Sequence, residues 1–456
     1  MAWSTSTEAS GVVGNLASGT MKSDPSRYTA IDDFILRSAN GYNRPEVREL
    51  LVKTYGDQGI TGFLTLTGAT KNAGSSDQVE YFEERRRHKK VTVTGTGATG
   101  ASGLVTIAMT ATDFIQANDI VMNTATGKRF IVNSVNSAST GATLYALNGI
   151  ITTAPAVNDS YAVIGNLYPQ GSDQPTKFIE PGVDRRVNPF AIVKERFEVN
   201  GSQATNIGYI NIGNGDYRWF MYGEMEARKR FMDKREMTLL FSERVGNTDT
   251  ISNIPGSEGY FSAVESRGNI YGGSFATMQD IDDIIIELDK QGAPSEYAMY
   301  LNRAFDLAID DLLAFGVATQ VTAGLPGQFG AFNNSPDMAI QLGFKSFTRG
   351  GYTFHKHSWK LLNDPTLLAG GVYAGAMIPL SFVPDAKTGM LSPALEMNYK
   401  AANGYSRELE HWVTGGGVLG YTNNGDAGTD VATFHYRSEC NLITRAANQH
   451  VVLKTA

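Results

Sequence analysis

The stretch that most constrains the fold is DYRWFMYGEMEARKRFMDKREMTLLFSERV, Asp216 to Val245. It contains no proline and is rich in Met, Leu, Glu, Lys and Arg, which lose little rotamer freedom in a helix. Asn214-Gly215-Asp216 ahead of it offers a turn and an N-cap, and Gly246-Asn247 behind it a left-handed stop. As one helix it would be about 45 Å long, at about 1.5 Å per residue, long enough to span a domain. On a helical wheel Tyr217, Met221, Met225, Met232 and Leu239 share one side, while Trp219, Met237 and Phe241 fall nearly opposite. The wheel therefore predicts burial on two faces, with Met225 and Met232 inside. Glu224–Arg228 and Glu226–Arg230 are spaced as i,i+4 ion pairs between those faces.

A chain of 456 residues has room for several domains or one domain with long insertions. The formal net charge of -7 argues against a general nucleic-acid binder, though not against a protein that surrounds DNA without gripping it. Cys440 is the single cysteine, so neither an intrachain disulfide nor a Cys-based zinc site is expected. The first residues lack the basic and apolar regions of a signal peptide, and no apolar run is long enough to span a membrane. The expectation is a soluble protein made in a reducing cytoplasm.

In chain order, residues 1 to about 40 are small and polar and read as an extended arm. Pro45 opens a short amphipathic helix closed by Gly56, and Gly62 to Gly68 alternates like a strand. Glu80 to Lys90, EYFEERRRHKK, is a charge run. From 91 to about 168 charge nearly vanishes and short alternating runs recur between Gly, Asn, Asp and Ser turns. That pattern predicts an inserted small β barrel or sandwich. After the long helix, Thr277 with Asp280 forms a capping box for a helix carrying Ile281, Ile284, Ile285 and Leu288, closed by Gly292. A strand Tyr297 to Leu301 follows. Asn302 then caps a second helix, which Gly316 is expected to close. A short helix near Ser358 to Leu362, strands from Ala376 to Val383, and alternating VATFHYR and HVVLK complete an α+β chain.

Motifs for chemistry are sparse. Gly95 to Gly100 fits GxGxxG, but β-like sequence follows where a dinucleotide site needs a helix. His355-x-His357 is a potential ligand pair without a third ligand at recognisable spacing, and a surface or interface pair is the simpler reading. Asn423-Asn424-Gly425-Asp426 reads as a turn rather than a calcium loop. No catalytic, cofactor or metal residue is assigned, and no enzymatic activity is expected.

The order of parts resembles a known family. A small-residue arm, the charged EYFEERRR region, an inserted β domain, the extended limb NPFAIVKERFEVNGSQATNIGYI, a long charged helix, an α-β-α region with EYAMYLNRAFDLAIDDLLA and a final FHYRSECNLITRAANQHVVL follow one another. This is similar to the major capsid protein of tailed bacteriophages, with the Hong-Kong-97 fold. The strings at Phe190 to Val245 and Glu296 to Leu313 look most like those of crAss-like phages. The resemblance implies an N-terminal arm at 1-60 and an extended loop at 61-90 and 169-202, with the β insertion at 91-168 on the outer surface. It implies a peripheral domain with a spine helix at 203-274 and 431-456, and an axial domain at 275-430. It also implies a subunit that assembles with copies of itself in pentamers and hexamers, in the host bacterial cytoplasm, into an icosahedral virion shell. The implied partners are the portal, accessory or head-fibre proteins and packaged double-stranded DNA bound without sequence specificity, with no membrane. No local motif marks a Lys–Asn cross-link. On such a limb Arg85 and Arg87 should share one strand face, with Arg86 on the other. Their candidate partners are carboxylates of a neighbouring copy, including Glu224 and Glu226 beside Arg228 and Arg230. A solvated charged face is the plain alternative for this run. For the whole chain the alternatives are a tail or adhesion protein with the β domain as its recognition module, or an enzyme with an unrecognised site.

Overall fold

The computed structural model describes residues 70–86, 88, 90–99, 104–110, 113–147, 154–175, 182–202, 219–245, 254–322, 345–380, 382–384, 391–415 and 431–455. The arm at 1-60, the helix after Pro45, the strand at Gly62 to Gly68, the turns at 214–216 and 246–247, Arg87 and the loop Asn423 to Asp426 lie outside them. The described part is a strand-rich α+β structure. The chain divides into two compact units, Tyr81–Arg186 and Met1–Glu80 with Val187–Ala456.

The strands Gln78–Glu84 and Val183–Pro189 pair as a two-stranded ribbon. Hydrogen bonds from Phe190 N to Asp77 O (3.3 Å) and from Arg85 N to Gly182 O (2.8 Å) bracket the pairing and make it antiparallel. On the first strand Gln78, Glu80, Phe82 and Glu84 face outward, alternating with half-buried Val79, Tyr81 and Glu83.

Within Tyr81–Arg186 seven strands pair in one row. They are Lys90–Thr92, Ser160–Asn166, Asp119–Asn123, Arg129–Val135, Gly141–Ala146, Leu104–Ala108 and Gly95–Thr99. The first and last strands of the row are neighbours in sequence. Val93 N donates to Asp159 O on one side and Thr94 N to Ala108 O on the other, both at 2.9 Å. One bent run thus joins the two ends of the row and closes it into a barrel. Val91, Val105, Val121, Phe130, Val132, Leu144 and Tyr161 fill the interior. The alternation of period two in this low-charge stretch puts those residues on one face and Thr, Ser and Asn on the other. Gly97 is required at the closure, because a Cβ there would lie 2.7 Å from both Pro155 Cδ and Thr106 O.

In the second unit, helix α1 spans Trp219–Phe241. It lies across a sheet in which Val431–Thr444 pairs with Ala191–Asn200 on one edge and with Leu395–Tyr399 and Glu410–Thr414 on the other. Thr70–Asn72 extends that sheet beyond Leu395–Tyr399. Helix α2, Tyr260–Arg267, follows α1. A second sheet runs in the order Asn269–Gly272, Val451–Lys454, Tyr373–Pro379, Glu296–Leu301, Tyr352–Ser358 and Ser346–Arg349. Helices α3, Met278–Lys290, and α4, Arg303–Thr322, cover one of its faces through Ile281, Ile284, Leu288, Phe305 and Ile309 against Tyr297, Met299, Leu301 and Phe354. The other face, with Ala298, Tyr300, Ala376, Ile378 and Val452, packs on Leu239, Leu240, Tyr260, Phe261 and Val264 of α1 and α2. The C-terminal strand Val451–Lys454 therefore belongs to the same sheet as the α-β-α elements.

Local chemistry sets the helix ends. Thr277 N donates to the Asp280 carboxylate at 2.7 Å before α3, and Gly292 follows it with φ +64°. Asn302 Oδ1 accepts from Phe305 N at 2.8 Å before α4. That helix does not stop at Gly316 but continues to Thr322. A single helical glycine costs only about 1 kcal/mol relative to alanine.

Helix α1 also departs from the expected bounds. It ends at Phe241 rather than Val245, because the backbone beyond it pairs elsewhere. Gly259 N donates to Ser242 O at 2.7 Å, and Val245 bridges Gly256. The expected methionine stripe is corrected as well. Met225 is 49% exposed, Met232 is half-buried, and the buried line runs through Ala227, Phe231, Arg235 and Leu239, with Glu236 and Leu240 beside it. Tyr217 and the side chain of Met221 lie outside the described residues. Small residues make this face: a Cβ at Gly223 would meet Phe197 Cζ at 2.6 Å, so the helix sits close on the sheet only without one. Phe231 tilts against Tyr436 at 5.7 Å between centroids. Phe231→Ala should cost about 3–5 kcal/mol in denaturant unfolding. Met225→Asp should stay within about 0.5 kcal/mol of the parent. Equal losses would refute this buried line.

Candidate functional site

Two clusters of charged side chains, each inside one compact unit, account for most of the candidate residues. The first stands at the barrel end of the ribbon. The strand ends at Glu84, with Arg85 and Arg86 directly after it, and the expected sharing of a face by Arg85 and Arg87 lies outside the described residues. Arg85 reaches Asp184 within the same chain, at 2.6 Å from Nη2 and 3.1 Å from Nε. Arg186 joins Glu83 at 3.3 Å and Asp184 at 3.7 Å. The hydrogen bond from Arg85 holds the Asp184 carboxyl below the usual carboxylate range. Arg86 is exposed. These pairs link the two ribbon strands and, being exposed, are screened by solvent.

The second cluster lies along α1 and the sheet beneath it. Glu224 and Arg230 pair across elements, while Glu226 pairs within the helix. Glu224 accepts a hydrogen bond from the Tyr436 hydroxyl and lies 4.0 Å from His411 Nε2. Burial and this carboxylate push the Tyr436 hydroxyl well above its ordinary pKa, with Arg228 opposing weakly. Glu226 meets Lys229 at 3.8 Å, and Arg230 reaches Glu195 at 3.1 Å, where Lys234 also binds. Tyr436, His411 and Glu195 escaped the sequence reading, although the alternation in VATFHYR marks Tyr436 as sharing a face with Phe434.

The opposite face of that sheet is set by register. Ile192, Lys194, Arg196 and Glu198 align with Glu439, Arg437, His435 and Thr433, and these with Glu410, Trp412 and Thr414. Trp412 stacks on His435 at 5.0 Å, and the Arg437 guanidinium lies 5.0 Å from the Trp412 ring centre. His435 also shares a 2.8 Å hydrogen bond with the Thr414 hydroxyl. Arg407 Nε lies 2.8 Å from Glu439, and Arg437 bonds Glu410. Arg407 with Glu439 and Arg437 with Glu410 thus pair opposite charges on this face, although Lys194 lies directly opposite Arg437.

Gly95–Thr99 is a barrel strand with no helix after it, so the GxGxxG string makes no dinucleotide site. His355 and His357 share one face of Tyr352–Ser358. Among the described residues no group of three or more His, Cys, Asp or Glu side chains converges as a metal cluster.

Burial alone would raise the pKa of Glu410, but hydrogen bonds from Arg437 and Tyr405 and the nearby arginine charges outweigh it and lower the value. A carboxylate with a lowered folded pKa stabilises the fold above its unfolded pKa, about 4.3, and that stability is lost as pH falls through the folded value. Glu410→Gln should therefore cost about 1–3 kcal/mol at pH 7 and give a shallower fall in stability below about pH 4.3. Urea unfolding at pH 7 and pH 3.5 measures both; parallel losses for variant and parent would contradict the assignment.

No protein-family model matches the sequence, and no curated protein matches it. Solved structures with similar chain paths include one from Gordonia phage Cozz, at 12% identity and a TM-score of 0.40, covering 96% of this chain and 98% of that chain. A second, from Mycobacterium phage Bobi, has 8% identity and a TM-score of 0.41 and covers 91% and 96%. A third, a capsid structure of the cyanophage P-SCSP1u, has 9% identity and a TM-score of 0.37 and covers 94% and 95%.

Proposed function

We propose that this chain is the major capsid subunit of a tailed bacteriophage, and that it assembles with copies of itself into the icosahedral head shell around packaged DNA. The observation that carries this reading is the ribbon Gln78–Glu84 with Val183–Pro189. It presents Phe82, 66% exposed, and Val183, 55% exposed. Two-stranded ribbons are marginal by themselves, and large apolar side chains held outward on one call for cover. A neighbouring copy supplies that cover in a heterologous assembly, in which each subunit lends one surface and receives another. The order of ribbon, barrel, long helix and mixed sheets supports a Hong-Kong-97-type subunit similar to those of crAss-like phages. In it α1 is the spine helix, 203-274 with 431-456 the peripheral domain and 275-430 the axial domain. The barrel is the insertion, placed on the outer surface. Arg85, Arg86 and Arg87, with Glu224, Glu226, Arg228 and Arg230, are proposed subunit-interface residues. The role is structural rather than catalytic. The portal, accessory or head-fibre proteins and unspecifically held double-stranded DNA are the expected partners in the virion.

A second reading takes the barrel as the recognition module of a tail or adhesion protein. Tyr145, 38% exposed, and Ile164, 51% exposed, on the barrel surface favour it. Electron microscopy of the purified chain separates the two, since closed shells support the capsid reading and trimers or fibres the adhesion reading. Phe82→Ser should leave the folded monomer unchanged, within about 0.5 kcal/mol, and sharply reduce shell yield. Normal shells from that variant would remove the ribbon from the interface.

A further inference from the structure

The second sheet carries a feature that neither the packing nor the assembly reading uses. Its strands Glu296–Leu301 and Tyr352–Ser358 run parallel, with Ala298 beside His355 and Tyr300 beside His357. The antiparallel neighbour Ser346–Arg349 puts Ser346 beside His355. Ala298 and Tyr300 belong to the cluster under α1 and α2, so His355, His357 and Ser346 stand on that same face. They lie toward its edge, next to Leu380, around an open cavity of about 630 Å³. The cavity has a local cause, because Ala298 contributes only a methyl group where Tyr300, two residues on, contributes a ring.

Each histidine has a distinct setting. His357 stacks on Tyr300 at 5.2 Å between centroids, and Tyr300 packs edge-on against Trp359 at 5.5 Å, so the His357 ring is fixed in orientation. His355 has no ring beside it on the Ala298 side and stands half-buried at the cavity wall. Alternate residues of a strand are about 7 Å apart and point the same way. Side chains in that relation can each present one ring nitrogen to a single ion, His357 from its stacked orientation and His355 by turning toward it. On the same face, register places the Ser346 hydroxyl beside His355 and the Glu296 carboxylate two residues before Ala298. Glu296 is exposed.

We propose that His355 and His357 form a two-imidazole site for a divalent transition-metal ion, beside the cavity over Ala298. Neutral imidazole suits zinc, nickel and copper(II), whereas magnesium and calcium take oxygen ligands. Two protein ligands leave coordination positions for water, for Ser346 or Glu296, or for a group brought in by another molecule. On the other side of the strand Lys356 is buried against Asp306 at 2.9 Å and also pairs with Asp310, which anchors the strand to α4. The backbone that presents the two rings is therefore held in place. Metal capture here does not depend on assembly into a shell.

The test is titration of the untagged, chelator-treated full chain with zinc chloride, followed by calorimetry, and with copper(II), followed by electron paramagnetic resonance. One saturable site is expected, with two nitrogen ligands in the copper spectrum. His355→Ala should weaken binding at least about tenfold without touching the Tyr300 stack, and His357→Ala, which also removes that stack, should weaken it at least as much. His88→Ala, a substitution at an exposed position outside the strands, should bind like the parent. No saturable binding, or full binding by both His355→Ala and His357→Ala, would overturn the site. Equal loss in His88→Ala would overturn it as well.

Discussion

Everything in the larger unit depends on how the strand Val431–Thr444 satisfies its backbone. Ala191–Asn200 pairs along one edge through ten residues, and Glu410–Thr414 and Leu395–Tyr399 follow each other along the other. Unpaired buried amides are costly, so a strand of this length has to be matched on both edges wherever it is buried. Its C-terminal half, from Ser438 to Thr444, is buried on both faces, and Asn188 is placed to complete it. Asn188 donates to Leu442 O at 2.6 Å, and Asn441 donates to Asn188 O at 3.0 Å. These bonds tie the end of the returning ribbon strand to the sheet. Helix α1 then has a fixed platform on which to lie.

The same strand explains where charge is placed. Its N-terminal half alternates, with Phe434 and Tyr436 toward α1 and His435 and Arg437 away from it. Carboxylates come to both faces, Glu224 to Tyr436 and Glu410 to Arg437. The pairs are largely between elements distant in sequence. They therefore add to specificity of register more than to net stability.

Several elements were legible from the residues alone. The capping box at Thr277, the Asn302 cap and the i, i+3, i+4, i+7 spacing of Ile281, Ile284, Ile285 and Leu288 are local signals, and local signals fix local structure. The loss of charge after Lys90 gave strands that lie between Lys90 and Asn166. What stayed hidden was tertiary. A helical wheel weights methionines by hydrophobicity, whereas the sheet chose Ala227 and Phe231, because a close helix–sheet approach needs small residues beside one large ring. Arg85 found Asp184 across 99 positions, a separation no spacing rule reaches. The closure of the barrel likewise rests on Val93 and Thr94 pairing to opposite sides, which periodicity in one strand does not encode.

The exposed Phe82 and Val183 of the ribbon are what the proposed subunit would use to meet copies of itself. The most direct test is charge-detection mass spectrometry of the purified full-length chain under native conditions. A narrow particle population at a large whole-number multiple of the chain mass is the predicted result, as closed symmetry requires. Monomers or trimers alone, or a continuous spread of open polymers, would contradict it.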